Sequence, residues 1–169
     1  MRTADWQAEI QLHMGRAPAL LREILGQFKL DLDGIHGVSH WMRVHANGVR
    51  LAASTGADVD VITWFALLHD CCRFSNWSDP DHGPRAAMFA RAHRQEIDLG
   101  QPQFDLLLGA VTCHTVGCSS TADVTIRTCL DADRLDIGRV GVAPLARLLF
   151  TDEARREVQG TQRRKGHAP

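Results

Sequence analysis

An imidazole and a carboxylate stand side by side where an apolar stretch of the chain ends, at His69 and Asp70. The stretch before them, Trp64 to Leu68, has the composition of a helix that packs into a core. A carboxylate buried without a partner is costly in free energy. The pair is therefore either a polar cap on an ordinary core helix or part of a metal site.

Further histidines and aspartates occupy similar places on other predicted helices, near the inner end of an apolar face. These residues are His40, His114, Asp131, Asp133 and Asp136, and His82 is predicted to lie in the loop just before the helix at 84–98. Neutral imidazoles and carboxylates are common ligands of divalent metal ions. One shared cation would satisfy several of these groups together, so the set indicates a metal centre.

These histidines and aspartates also have interpretations that involve no metal. A single histidine on an apolar helix is more often a hydrogen-bonded core residue than a ligand. Asp131 and Asp136 also fit helix caps or surface carboxylates. His36 and His45 fit either support of the ligands or solvated helix positions. The remaining histidines are predicted to lie on the surface: His13, His93 and His167.

Helices must position these residues, because apolar residues recur at helical spacing along nearly the whole chain and no stretch alternates with period two. We expect helices over 5–14, 18–30, 38–54, 58–69, 84–98, 102–116, 122–135, 141–150 and 151–160. Asp58 is expected to cap the fourth of them. The predicted fold is a single all-α domain over 1–160, with a disordered tail over 161–169.

Composition narrows the classes of partner. The formal net charge of −1 and the pI of about 6.7 give no reason to expect a nucleic-acid polymer. No apolar run is long enough to span a bilayer, and the N-terminus lacks the pattern of a signal peptide. We therefore expect a cytoplasmic protein whose five cysteines are reduced packing residues. The sequence is compatible with a monomer or a homodimer.

The ordered series of histidines and aspartates resembles the HD-domain superfamily of metal-dependent phosphohydrolases. The segments "HGVSHWMRV", "LLHDCCR" and "DADRLD" resemble its first-histidine, His-Asp and closing helices. The resemblance covers about residues 35–140 and implies a helical bundle. Two departures are Cys72, where many relatives carry glycine, and the absence of the Gly-Tyr-Pro signature of cyclic-dinucleotide phosphodiesterases.

The resemblance implies a ligand set, residue by residue. His40, His69, Asp70 and Asp133 would form a first metal site. His82 and His114 match the two extra histidines of the branch that binds two metals, in which Asp70 would bridge the ions. One or two divalent ions are thus expected, and Mn, Fe, Co, Mg, Ni and Zn are all candidates.

The expected reaction is hydrolysis of a phosphate ester, in a nucleotide or another small phosphorylated metabolite, by metal-activated water. Asp70 would hold the nucleophile in place, and an arginine would bind the phosphate. Arg73 is the first choice for that role, and Arg43 and Arg85 are the others. Two alternatives are a di-iron oxygenase that uses the same ligands to activate O₂, and a non-catalytic helical module with a structural metal.

Overall fold

The computed structural model describes residues 3–14, 19–116 and 123–165, and these residues form helices and connecting loops with no strand. The α-helices are α1 (Thr3–Met14), α2 (Leu21–Gln27), α3 (Val38–Thr55), α4 (Val59–Leu68), α5 (His82–Ala92), α6 (Gln101–Val116), α7 (Val124–Leu135) and α8 (Asp152–Lys165). The predicted all-α fold class is confirmed.

Helix α4 is the centre of the core, and local signals in the sequence define its start. The Asp58 carboxylate accepts hydrogen bonds from the amides of Asp60 (2.9 Å) and Val61 (3.1 Å), as the capping pattern predicted. Gly56 ends the preceding helix with a φ of 74°, which glycine adopts without a steric penalty. Every residue from Val61 to Leu68 is buried.

The other core helices pack around α4. Helix α3 packs against α4 and α7, helix α6 packs against α4, α5 and α7, and α1 and α2 cover one end. Trp41, Trp64 and Phe65 are the largest side chains that this packing buries completely. The result is that the C-terminal end of α4 lies among parts of α3, α5, α6 and α7.

Several predicted segments differ from the structure. Helices were expected over 18–30 and 84–98, but α2 spans only Leu21–Gln27 and α5 spans His82–Ala92, so His82 lies in the helix and not in the loop before it. Residues 141–150 were expected to form a helix, but they form a loop with one 3₁₀ turn at Ala146–Leu148. Gly141 adopts a φ of 78°, and Pro144 lacks the amide hydrogen that a helix requires. Helix α8, in contrast, continues through Lys165, past its expected end at residue 160.

The cysteines are not all alike. Cys71, Cys72 and Cys129 are free and buried, as expected of packing residues. Cys113 is disulfide-bonded, so the expectation that every cysteine is a reduced packing residue is wrong at this position. Cys118 lies outside the described residues. Among the described helices, none combines the length and the apolar character that a membrane crossing needs.

Candidate metal centre

Five helices bring the predicted ligands to one place inside the bundle. His40 lies on α3, His69 and Asp70 follow the last turn of α4, His82 begins α5, His114 lies in the last turn of α6, and Asp133 lies on α7. All six side chains are buried or nearly so, and they divide into two groups of three. Each group offers three ligand atoms that lie within 4.8 Å of one another.

The first group consists of His40, His69 and Asp133. The Nε2 atoms of His40 and His69 lie 3.0 Å apart. Oδ1 of Asp133 lies 3.4 Å from Nε2 of His40. Neither imidazole is accessible to solvent, since both histidines are 0% exposed.

The second group consists of Asp70, His82 and His114. The Nε2 atoms of its two histidines lie 2.8 Å apart. Oδ1 of Asp70 lies 2.9 Å from Nε2 of His82 and 3.7 Å from Nε2 of His114. Two imidazoles and a carboxylate therefore converge here as they do in the first group.

Asp70 contacts both groups, with a different oxygen toward each. Its Oδ1 atom belongs to the second group, whereas its Oδ2 atom lies 3.6 Å from Nε2 of His40 and 3.7 Å from Nε2 of His69. A carboxylate placed in this way can bridge two cations or complete the coordination of one.

The outer nitrogens of the imidazoles point to oxygen acceptors. Nδ1 of His69 donates to the carbonyl of Ala66 (3.1 Å), and Nδ1 of His114 donates to that of Val111 (2.6 Å). Nδ1 of His82 donates in the same way to the Asp79 carbonyl. These contacts select the neutral tautomer in which Nε2 carries a lone pair, which is the form that binds a metal.

The pKa shifts differ between the residues of the site. Burial alone would raise the pKa of Asp70 and of Asp133, but the surrounding imidazoles outweigh it and hold each carboxyl pKa well below its usual range. Burial lowers the pKa of His69 to about 3. Burial also acts to lower the pKa of His40, yet its hydrogen bonds to Asp133 and Asp136 raise that pKa overall. Of this close pair of imidazoles, His40 is therefore the one that takes up a proton more readily when no metal is bound.

Two residues that the sequence left ambiguous support the ligands. Oδ2 of Asp136 lies 2.7 Å from Nδ1 of His40, and Nδ1 of His36 lies 3.0 Å from Oδ2 of Asp70. His36 stands four residues before His40, and Asp136 stands three residues after Asp133. That spacing, one helical turn from a ligand, was the available signal. His45 instead contacts Thr63 at 3.2 Å and lies outside both groups.

The three predicted substrate-binding arginines have different surroundings. Arg73 contacts Asp70 at 3.5 Å and Nε2 of His82 at 3.1 Å, so its charge lies beside the second group. Arg43 binds both carboxylate oxygens of Asp136. Arg85 binds the Asp79 carboxylate at 2.6 and 2.7 Å and the carbonyl of Cys72.

A cleft of about 640 Å³ opens beside the two groups. Its lining includes Ile35, Arg73, Trp77, Ile137, Arg139 and Val140. His36 also lines it, and His36 touches Asp70. The His36 side chain therefore lies between the cleft and the shared carboxylate of the site. Arg139 was not among the predicted residues, and its distance of 3.7 Å from Oδ1 of Asp133 depends on the 3₁₀ helix Asp136–Val140 that follows α7.

The remaining candidate polar residues lie away from the two groups. Asp131 is buried and accepts hydrogen bonds from the amides of Phe150 and Thr151, which holds the loop before α8. His13 is exposed, and His93 contacts Glu96 in a surface group with Glu23. His167 lies outside the described residues.

Buried histidine and aspartate side chains of this protein could thus hold a metal ion, as their arrangement in two groups indicates. No family model, no curated protein and no solved structure matches the chain.

Proposed function

We propose that this protein is a metal-dependent phosphohydrolase that cleaves a phosphate ester of a nucleotide or of another small phosphorylated metabolite. The observation that carries the proposal is the position of Asp70. Its carboxylate is shared between two histidine groups, and His36, which touches it, lines an open cleft. Polar groups that converge in this way beside a cleft are typical of a catalytic site.

The residues present fit a divalent cation. In the first group, two imidazole nitrogens face each other at 3.0 Å with a carboxylate oxygen at 3.4 Å. Two Nε2 lone pairs at that distance repel each other unless a proton or a cation lies between them. Nitrogen and oxygen donors in this combination suit Mn, Fe, Co, Ni and Zn, whereas Mg prefers oxygen ligands.

We assign the ligands by group. His40, His69 and Asp133 would hold a first ion, His82 and His114 would hold a second, and Asp70 would contribute one oxygen to each. A divalent ion lowers the pKa of water from ~15.7 toward ~7 and neutralises charge on phosphoryl oxygens. The second position is the weaker one, because the guanidinium of Arg73 already lies 3.1 Å from Nε2 of His82.

Neighbouring residues orient the candidate ligands. Asp136 fixes the ring of His40, and carbonyl oxygens fix the rings of the other histidines, which keeps each Nε2 directed inward. His36 donates to Asp70 and limits rotation of its carboxylate. Arg73 donates to the carbonyls of Ser75 and Trp77, both at 2.8 Å, and so joins the wall of the cleft to the ligands.

The resemblance of the sequence to the HD-domain superfamily supports the same proposal. The order His40, His69-Asp70, His82, His114 and Asp133 is the order in which that superfamily supplies its ligands. In the structure those residues converge in space, as members of a common site would.

The proposal is tested by metal content and by hydrolysis. Freshly purified protein is analysed for bound metals and then assayed against nucleotides and phosphomonoesters with Mn²⁺, Co²⁺ and Mg²⁺. We expect one or two ions per chain, release of phosphate, and loss of both in His69→Ala. His45→Ala removes a buried histidine outside both groups and should retain metal and activity. Full metal content in His69→Ala would contradict the ligand assignment.

The same assay separates the two other candidate functions. Phosphate release in the strict absence of O₂ supports hydrolysis, whereas activity that needs O₂ and bound iron would indicate an oxygenase. Bound metal without turnover of any phosphate ester would favour a structural metal.

A further inference from the structure

The cleft beside the metal centre has both charged and aromatic lining. It includes Arg139, next to the ligand Asp133, and Trp77 on the loop between α4 and α5. Apolar side chains also line it, namely Ile35, Ile137 and Val140. A ligand that fits such a cleft carries a negative charge at one end and an apolar group at the other.

Arg139 is held in place and directed at the metal ligands. Its Nε atom donates to the carbonyl of Ile35 at 3.0 Å, and its Nη1 atom donates to that of Asp136 at 3.2 Å. Nη2 lies 3.7 Å from Oδ1 of Asp133, which is longer than a hydrogen bond. The Arg139 side chain is only 12% exposed, so its charge acts in a partly desolvated place. A planar fork held in this way suits an oxyanion.

The side chain of Trp77, unlike that of Arg139, is uncharged and exposed to solvent. Its indole is 85% exposed, while Trp6, Trp41 and Trp64 are at most 3% exposed. The backbone of Trp77 is nevertheless fixed, since its amide donates to Oγ of Ser75 at 3.0 Å and its carbonyl accepts from Arg73 at 2.8 Å. A large apolar ring held in solvent at the wall of a cleft is available for a ligand.

We infer that the cleft selects phosphate esters whose leaving group carries a planar apolar ring, with the phosphate bound by Arg139 and the ring stacked on Trp77. This inference rests on the proposed function for the reaction, but the recognition itself depends only on the two side chains. Arg139 is the anion-binding residue in this arrangement, and Trp77 is the residue that determines specificity. Arg73 is a positioning residue, because its donors hold the loop that carries Trp77.

A matched pair of ligands tests the inference without turnover. Phenylphosphonate and methylphosphonate carry the same anionic head and differ by the ring, and neither contains an ester bond that a phosphohydrolase could cleave. Binding is followed by tryptophan fluorescence, anaerobically, with and without Mn²⁺. Because Trp77 is exposed and the other three tryptophans are buried, we expect its emission to the red of theirs, so that stacking on it can be followed separately.

We expect phenylphosphonate to quench the red-shifted emission and to bind about 5-fold more tightly than methylphosphonate, as ring stacking predicts. Trp77→Ala should reduce that preference to less than about 2-fold. Arg139→Ala should weaken both ligands about 10-fold and leave the preference unchanged, and Arg139→Lys should restore part of the affinity. Phe74→Ala is the control for the loop. It removes another aromatic ring of the same loop, one that the Arg85 guanidinium already covers at 4.1 Å, so the preference for phenylphosphonate should remain.

The outcomes distinguish failure of this inference from failure of the proposed function. Equal affinity of wild-type protein for the two phosphonates, or unchanged binding in Arg139→Ala, would overturn this inference even if phosphate esters are hydrolysed. A shift of the emission with protein concentration alone would also overturn it, since Trp77 would then be an interface between copies. Selective binding without any hydrolysis would support the cleft and contradict the proposed function.

Discussion

The Asp136 carboxylate accepts a hydrogen bond from Nδ1 of His40 at a distance of 2.7 Å, and this contact joins the end of α7 to α3 across 96 residues of sequence. Its second oxygen binds Arg43, also at 2.7 Å. Asp136 therefore keeps Nε2 of His40 directed into the first group. Carboxylates behind metal-binding imidazoles commonly have this function.

Removal of that carboxylate should weaken the first ion without removing a ligand. Asp136→Ala is expected to lower the affinity of the first position about 10- to 100-fold, because His40 loses the partner that orients it. Calorimetric titration of the metal-free protein measures the change. Arg43→Ala is the matched control, since it removes the other partner of Asp136 and leaves the His40 contact in place. An equal loss in both variants would contradict an orienting function of Asp136.

The two groups predict separable metal stoichiometries. His82→Ala should lose the second ion and keep the first, because none of the first-group ligands is changed. Asp70→Ala should weaken both, since its two oxygens face different groups. Metal content after gel filtration, measured by mass spectrometry, distinguishes these cases. Loss of all metal in His82→Ala would mean that the two groups hold one shared ion.

Arg73 should limit the affinity of the second group for a metal ion. Its guanidinium lies 3.5 Å from Oδ1 of Asp70 and repels an ion held there. Arg73→Gln is expected to raise the affinity for the second ion roughly tenfold. The same change removes the charged anchor of the loop at Ser75 and Trp77, so hydrogen exchange over residues 74–81 should accelerate. Arg50→Gln, an exposed arginine paired with Glu157, should alter neither quantity.

Gly83 permits the close contact between α5 and α6 that brings His82 to His114. A Cβ atom at Gly83 would lie 2.5 Å from the Val111 carbonyl and 2.6 Å from Oγ1 of Thr115. Gly83→Ala should therefore push the helices apart, cost about 1–3 kcal/mol of unfolding free energy and weaken the second ion. Gly26→Ala has nothing within 4 Å of its new Cβ and should stabilise the protein by up to ~1 kcal/mol. Denaturant unfolding of both variants, each with metal titration, gives the comparison.

The metal-free protein should lose stability as the pH falls below 6.5, because burial lowers the pKa of His69 to about 3. Between these values the unfolded chain binds a proton at this position and the folded chain does not, so acid favours unfolding. The slope is at most about 1.4 kcal/mol per pH unit. His40 acts in the opposite sense, because its raised pKa means that the folded chain holds this proton more tightly than the unfolded chain.

Urea unfolding of metal-free protein between pH 6.5 and 5 measures this slope, above the range in which the carboxyls titrate. In His69→Gln the slope should flatten, since that side chain does not titrate. An unchanged slope in the variant would place the acid sensitivity on other groups.

Much of the architecture could be predicted from local patterns. Apolar spacing predicted the helices that carry the ligands, because a helix that buries one face must repeat apolar residues with its own period. The Asp58 cap of α4 could be predicted equally well. The segment 141–150 was predicted wrongly, since its apolar residues fit a helix while Gly141 and Pro144 favour a loop.

The candidate ligands were visible for a related reason. Histidine and aspartate at the inner ends of apolar helices are costly to bury alone, so their type and position already indicated a shared partner. His36 and Asp136 remained ambiguous, because His36 precedes α3 and Asp136 follows α7, and at a helix end the side chain can face either the site or solvent. Only the packing of α3 against α7 brings both side chains to the ligands.

By itself, the sequence determined the helical class, the order of the candidate ligands and their position on apolar faces, because these depend on residues near one another in the chain. The tertiary structure alone decided that the two oxygens of Asp70 face different histidine groups and that Arg139 and Trp77 line the same cleft. Those relationships join residues far apart in sequence. They depend on where helix ends and loops meet, which the packing of the whole core determines.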